Sequence, residues 1–346
     1  MTLADLRLTK LSLGCAQLGN LHRPVDDREA RATVEAAWAE GIRYFDTAPH
    51  YGLGLSEKRL GAALSGQARG DYVLSTKVGR LLEPAASHGL TDEGGFAVPA
   101  DFRRVWDFSR DGVLRSLAES IERLGVDRVD IVYLHDPDDH RDDAFLRAYP
   151  ALEEMRSQGL VKAIGAGMNQ SAMLADFARH TDVDVLMLAG RYTLLDQSAL
   201  DDLLPVCIER GVGVVAAGVL NSGLLARTRP SHTARYDYRA APAALVQRAT
   251  RIATICELHG TSLPAAAVAF PLCHPAVVSV CVGAHSSDQI VRNAQLGSER
   301  VPAALWDALK EEGLLHPDAP TVSLEPADVS LPVRADPGAM GGVPCH

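Results

Sequence analysis

Eight short runs of β-branched and apolar residues, at 8–15, 42–47, 72–78, 129–135, 161–165, 183–188, 213–218 and 277–282, alternate along this chain with segments of helical period. Parallel strands need a crossover between them, and a helix that packs on the sheet supplies it. Eight such units with no compositional break predict an α/β fold, a (β/α)8 TIM barrel, as one domain over residues 1–316. A doubly wound open sheet is the alternative. The helices mark their own ends. The segment 31–40, with Ala30 just ahead, aligns Val34, Ala37 and Trp38; Asp26-Asp27-Arg28-Glu29 opens it as a capping box and Gly41 closes it. The segment 109–124 aligns Val113, Leu114, Leu117, Ile121 and Leu124 and stops at Gly125. Further helices are predicted at 142–158, 171–179, 198–210, 242–259 and 287–296.

Some segments depart from the repeat. Residues 82–108 form a long insertion after the third strand, carrying Phe96, Phe102, Trp106 and Phe108, and long insertions of this kind often act as lids. Residues 317–346 are rich in Pro and Gly and read as an extended arm or a flexible end. The stretch 262–284 has no formal charge, but Pro264, Pro271 and Pro275 break it into a short helix and a strand rather than a membrane span. Gly211-Val212-Gly213-Val214-Val215-Ala216 matches G-x-G-x-x-A, yet its glycines precede the apolar run, so it reads as a helix stop entering a strand. Gly165-Ala166-Gly167 is placed after a strand and lacks the third glycine of a dinucleotide loop.

Charge narrows the partners. With 34 basic against 44 acidic residues the net charge is −10, which disfavours nucleic acid and leaves a small-molecule substrate. The six cysteines show no metal-like spacing and read as reduced thiols. The first residues lack the layout of a signal peptide, so a cytoplasmic location with no membrane attachment is expected.

Polar residues at the C-terminal ends of barrel strands face one common mouth. Asp46 ends the second run and Tyr51 follows in its loop; Lys77 ends the third run and His135 the fourth. Each alone has an ordinary reading: a turn cap, a packing ring, a salt-bridged surface lysine, a core histidine. Together, on successive strands, they point to a site. A free tyrosine has a pKa of ~10, too high for a good proton relay near neutrality. An ammonium within ~4–6 Å favours the phenolate, a carboxylate keeps that ammonium charged, and a histidine can orient an oxygen beside them. Such a group suits proton transfer at an oxygen while a hydride moves. His135-Asp136-Pro137-Asp138-Asp139-His140 reads as a solvated turn, and no metal is assigned.

The runs Phe45-Asp46-Thr47-Ala48-Pro49-His50-Tyr51-Gly52, Ser75-Thr76-Lys77 and Asp130-Ile131-Val132-Tyr133-Leu134-His135 resemble the signatures of the aldo-keto reductase superfamily, over about residues 11–296. Residues 165–170, 188–197 and 221–225 resemble its L-fucose and D-threo-aldose 1-dehydrogenase branch, which includes a pyridoxal 4-dehydrogenase. The resemblance implies an NAD(P)-dependent oxidoreductase oxidising an aldose at C1, or another polar alcohol, aldehyde or ketone; a nucleotide-sensing barrel is the non-catalytic alternative. By the family pattern, Tyr51 is the acid/base, Lys77 and Asp46 tune it, and His135 orients the substrate oxygen. Asn169 would bind the nicotinamide carboxamide. Gly218, Leu220, Asn221, Ser222, Gly223 and Leu224 would line the pyrophosphate, and Gly283, Gln289 and Asn293 the adenosine end. Three positions depart from the pattern around the nicotinamide: Met168, Ala189 and Ala217. Where NADP-preferring members carry a Lys and an Arg, this chain has Gly283 and Gln289, with His285 and Arg292 as the nearby candidate cations, so NAD is the preferred cofactor and NADP the alternative.

Overall fold

A computed structural model describes residues 6–231, 233–237, 239–321 and 329–330. Eight parallel strands close into a barrel in chain order: β1 Leu11–Gly14, β2 Tyr44–Asp46, β3 Val73–Val78, β4 Ile131–His135, β5 Ala163–Met168, β6 Val185–Ala189, β7 Gly213–Ala217 and β8 Val277–Gly283. The ring is completed where β7 pairs β8 and β8 pairs β1. All eight predicted runs contribute a strand. They read as apolar runs because both faces are covered. The inward face holds Tyr44, Val73, Ile131, Tyr133, Val185 and Val215, joined at the strands' N-terminal ends by Leu6 and Leu8. The outward face packs on the helices in a larger cluster that includes Val34, Leu117 and Phe177.

The helices are α1 Asp27–Ala39, α2 Leu55–Leu64, α3 Arg110–Leu124, α4 Tyr149–Ser157, α5 Ala172–His180, α6 Leu203–Arg210, α7 Ala243–Leu258, α8 Leu263–Ala269, α9 Ser287–Ser298 and α10 Ala303–Glu311. The predicted caps are present, except that the capping box is half formed, since the Glu29 side chain bonds Ser287. Asp26 accepts from the Glu29 amide at the start of α1, Ser109 accepts from Gly112 at the start of α3, and Gly125 takes the left-handed conformation that ends α3. Gly211 ends α6 in the same way and leads straight into β7, as the order of its glycines implied. The uncharged stretch divides into α8 and β8, and no helix among the described residues is long and apolar enough to cross a membrane.

Boundaries moved in several places. The fifth strand extends through Met168, so Gly165 and Gly167 lie within it rather than after it. A side chain at Gly165 would meet the Val185 carbonyl at 1.7 Å, so the glycine serves the close approach of β5 to β6. The predicted helix 142–158 enters through a π turn, Ala144–Ala148, before α4, and 198–210 starts as a separate 3-10 turn, Ser198–Leu200. Helices α2 and α10 had no sequence-based prediction. The insertion begins earlier than predicted: Arg80–Pro84 pairs antiparallel with Phe102–Trp106 in a hairpin at the C-terminal end of β3. Of the Pro/Gly-rich tail, Ala319 is buried and Val329–Ser330 pairs with Arg7–Leu8; residues 322–328 and 331–346 lie outside the described residues. Cys345 falls there too, and the other five cysteines are free and buried.

Candidate active site

The ends of β2, β3 and β4 bring Asp46, Lys77 and His135 to one mouth, and the turn leading into α2 returns Tyr51 to the same place. That turn is held by its own backbone, with the Tyr51 amide donating to Ala48 O at 3.1 Å and the Ser56 amide donating to Tyr51 O at 3.2 Å. Lys77 Nζ donates to Asp46 Oδ2 at 2.6 Å, to Thr47 O at 3.1 Å and to the Tyr51 hydroxyl at 3.1 Å. Three partners satisfy all three ammonium protons. Behind the pair, Ser75 Oγ donates to Asp46 Oδ1 at 2.7 Å, and the Tyr44 hydroxyl bridges Ser75 at 3.1 Å and Tyr133 at 3.0 Å. Both carboxylate oxygens of Asp46 are therefore engaged, which fixes its orientation.

Electrostatics follow from this packing. Burial alone would pull Lys77 down, but the charge of Asp46 and then Tyr51 hold its ammonium well above the ordinary lysine range. The ring of His135 stands 5.9 Å from that of Tyr51, nearly perpendicular to it. Burial first, then Arg80 and Lys77, push His135 well below the usual imidazole value, so it is neutral at physiological pH. Its Nδ1 is buried and has no hydrogen-bond partner among the described residues. An orphaned polar atom of this kind costs about 1–3 kcal/mol, which a bound ligand can offset.

The hairpin frames the mouth. Arg80 pairs with Asp136, the residue after His135, and lies 4.2 Å from the centre of the Trp106 ring. Arg104 donates to His50 O at 2.9 Å and pairs with Asp92, while Phe96 packs against Tyr51, Leu53, Leu82 and Val98. The acidic turn after β4 is occupied by these contacts: Asp138 accepts from Gln170, and the His140 ring packs on Trp106 and Phe108. No cluster with metal-binding geometry occurs among the described residues.

The residues expected to hold a dinucleotide lie at the ends of β5, β7 and β8, on the same face. Asn169 is exposed directly after β5. After β7, Gly218, Asn221, Ser222 and Gly223 all have positive φ, and the Asn221, Gly223 and Leu224 amides donate to carbonyls within the turn. Asn and Ser in this region cost of order 1–3 kcal/mol each, strain of a kind that clusters at ligand sites. Leu220 is partly buried, Leu224 is buried, and the buried Asn221 Oδ1 is orphaned among the described residues. After β8, Asn293 Nδ2 donates to Gly283 O at 3.3 Å and Gln289 Oε1 accepts from the His285 amide at 2.8 Å. Gly218, Ser222 and Gly223 are exposed, so the turn is open to a polar ligand, and the orphaned Asn221 Oδ1 can accept a hydrogen bond from a donor group of that ligand. Residues that sequence reasoning missed are Glu29, His50, Ser75 and Arg80, whose partners are distant in sequence.

The mouth of a parallel (β/α)8 barrel thus holds a charged lysine bonded to a tyrosine hydroxyl, with a neutral histidine beside them. The chain belongs to the aldo/keto reductase family, whose sequence profile matches residues 10–312. It is 50% identical over 316 residues to D-threo-aldose 1-dehydrogenase of a Pseudomonas species, covering 90% of this chain and 96% of that one. It is 40% identical over 329 residues to pyridoxal 4-dehydrogenase of Microbacterium luteolum, covering 90% and 95%. An aldo-keto reductase of Bacillus halodurans in its holo form superposes with a TM-score of 0.71 at 26% identity, covering 93% of this chain and 95% of that one. The chain is an enzyme, an oxidoreductase acting on a small molecule with a nicotinamide cofactor.

Proposed function

We propose that this enzyme oxidises an aldose at C1 to the lactone, with NAD preferred over NADP and with Tyr51 as acid/base. The observation that carries the reading is the 3.1 Å contact between Lys77 Nζ and the Tyr51 hydroxyl, with Lys77 held charged by Asp46. In this direction the Tyr51 phenolate takes the proton of the anomeric hydroxyl and Lys77 stabilises the phenolate before transfer. His135, neutral and directed at the same oxygen, holds the anomeric hydroxyl against Tyr51. The C1–H bond breaks as the C1=O bond forms, and the bound nicotinamide supplies the hydride acceptor. Asn169 would hold the carboxamide of that cofactor, residues 218–224 its pyrophosphate, and residues 283–293 its adenosine. Choice of an aldose rests on the 50% identity to an aldose 1-dehydrogenase, which spans nearly the whole of both chains.

Preference for NAD has support at the adenosine end. Glu29 Oε1 accepts from the Ser287 amide at 2.7 Å and from Ser287 Oγ at 3.2 Å, so a carboxylate already occupies the N-terminus of α9. Of the candidate cations, His285 is pushed down by burial, which outweighs the opposing effect of its 3.0 Å contact with Leu21 O and favours the neutral ring. Residues 1–316 act as one barrel domain with the hairpin insertion as a lid over the mouth. The free, buried thiols support a cytoplasmic setting.

Absorbance at 340 nm, with NAD and NADP each run against a panel of aldoses and pyridoxal, tests the proposal. Reduction of NAD by an aldose supports it. Turnover of pyridoxal alone would move the assignment to the second reading, which the 40% identity to a pyridoxal dehydrogenase favours.

A further inference from the structure

His50, immediately before Tyr51, is not one of the four residues Asp46, Tyr51, Lys77 and His135, yet its ring stands 6.0 Å from the Tyr51 ring and 5.5 Å from the His135 ring. With Tyr51 and His135 themselves 5.9 Å apart, the three rings make a near-equilateral triangle at the mouth. The outer side of His50 packs edge-on against Phe96, at 5.2 Å. Arg104 donates to its carbonyl, which fixes the backbone without engaging the imidazole. His50 Nδ1 is buried and has no hydrogen-bond partner among the described residues. A histidine kept only for packing against Phe96 would carry that desolvation cost for nothing, since an apolar side chain would fill the space without it.

The groups around it set its chemistry. Burial, then Arg80, Arg104 and Lys77, push its imidazole down to about 2. Neutral imidazole has one nitrogen that donates and one that accepts, so it can meet a hydroxyl in either sense. Each imidazole reaches about 3 Å to a partner. Two of them 5.5 Å apart can therefore hold two oxygens on neighbouring carbons. Tyr51 and His135 take the reacting oxygen, which leaves the adjacent one to His50.

We infer that His50 is a specificity-determining residue that hydrogen-bonds the hydroxyl on the carbon next to the one oxidised, the C2 hydroxyl of an aldose. The inference rests on the aldose reading above.

An aldose that the enzyme oxidises and its 2-deoxy analogue are compared in wild type, His50→Leu and His50→Asn, with NAD affinity followed by fluorescence titration. In His50→Leu, kcat/KM for the aldose should fall at least ~10-fold and that for the 2-deoxy sugar by less than ~3-fold, because a site built to bond a hydroxyl loses only that bond. His50→Asn, which restores an amide near the Nδ1 position, should keep the aldose within ~3-fold of wild type. Equal losses for both sugars in a variant that still binds NAD overturn the inference and leave the aldose reading intact. So does a wild-type enzyme that turns over the 2-deoxy sugar as well as its parent, a measurement that needs no variant to fold. A wild-type enzyme that oxidises no aldose overturns both.

Discussion

Lys77 Nζ lies 2.6 Å from Asp46 Oδ2, and each side chain is only 3% exposed. A buried ion pair of this kind is a poor source of stability but a firm way to keep one charge in one place. On the proposed function the charge serves Tyr51. In the oxidative direction Tyr51 must be deprotonated to take a proton, so log kcat/KM should rise with pH through its titration. The ammonium stabilises the phenolate, and removing it moves that limb upward. Lys77→Met is expected to shift the limb to higher pH, and Asp46→Asn to shift it less in the same direction, since burial then pulls Lys77 down with only Tyr51 opposing it. A limb that stays put in Lys77→Met, measured over pH 6–10, would falsify the coupling.

Tyr51→Phe removes the proton relay and leaves the ring. Turnover should drop by at least ~100-fold, the scale of a lost general acid/base, with NAD affinity held within a few-fold. Steady-state rates paired with a fluorescence titration of NAD separate the two effects. Near wild-type turnover would remove Tyr51 from the chemistry.

Ser75→Ala takes one of the hydrogen bonds from Asp46 while keeping the strand. Asp46 Oδ2 still faces Lys77, so the fold should persist at a cost of about 1 kcal/mol or somewhat more, with a modest fall in kcat. Tyr44→Phe, one step further back, should act more weakly. Urea unfolding and kcat on the same preparations test the order, and a larger catalytic loss in Tyr44→Phe than in Ser75→Ala would reverse it.

What could be read from the chain has a physical boundary. The barrel strands were legible because burial on both faces turns them into apolar runs, and the site because Asp46, Lys77 and His135 lie at the ends of those runs with Tyr51 in the loop that follows Asp46. Helix α2 escaped because its inner face carries Ser56 and Glu57, the latter bonded to Thr76 and Arg123, so its apolar period is broken. The loop after β7 depends on positive φ at Asn221 and Ser222, a state with no periodic signature; only the resemblance located it. Glu29 reads locally as a capping residue and His50 as part of a signature run, but the partners that give them a further role, Ser287 and His135, are brought close only by closure of the barrel.

Glu29 lies 258 residues before its partner Ser287, and its charge should bear on cofactor choice if residues 283–293 hold the adenosine. Glu29→Gln keeps an acceptor for the Ser287 amide and removes the repulsion toward a 2′-phosphate. The ratio of kcat/KM for NADP to that for NAD should rise by ~5-fold or more, mainly through KM for NADP. An unchanged ratio would place the 2′ position elsewhere.

Three imidazoles, His135 and His274 buried and His50 half-buried, should make the protein sensitive to acid. Burial, aided by the neighbouring cations, pushes His50 down to about 2 and His135 well below the ordinary 6.5, and burial alone brings His274 to about 4. Each is neutral when folded and titrates near 6.5 when unfolded, so below that pH the unfolded chain binds more protons. Stability is then fully present above pH 6.5 and is lost as pH falls toward the folded values. Between pH 7 and pH 5 each group should remove on the order of 1–2 kcal/mol, so urea midpoints should drop steeply over that interval. His274 tests the assignment away from the active site. It is buried beside Tyr192, and its Nδ1 accepts the Ala276 amide at 3.2 Å. His274→Asn keeps an acceptor near that position and cannot titrate. It should lower stability at pH 7 yet flatten the slope between pH 7 and pH 5 by about one proton, or about 1.4 kcal/mol per pH unit at most. A slope identical to wild type would mean that His274 titrates in the folded protein much as it does in the unfolded chain.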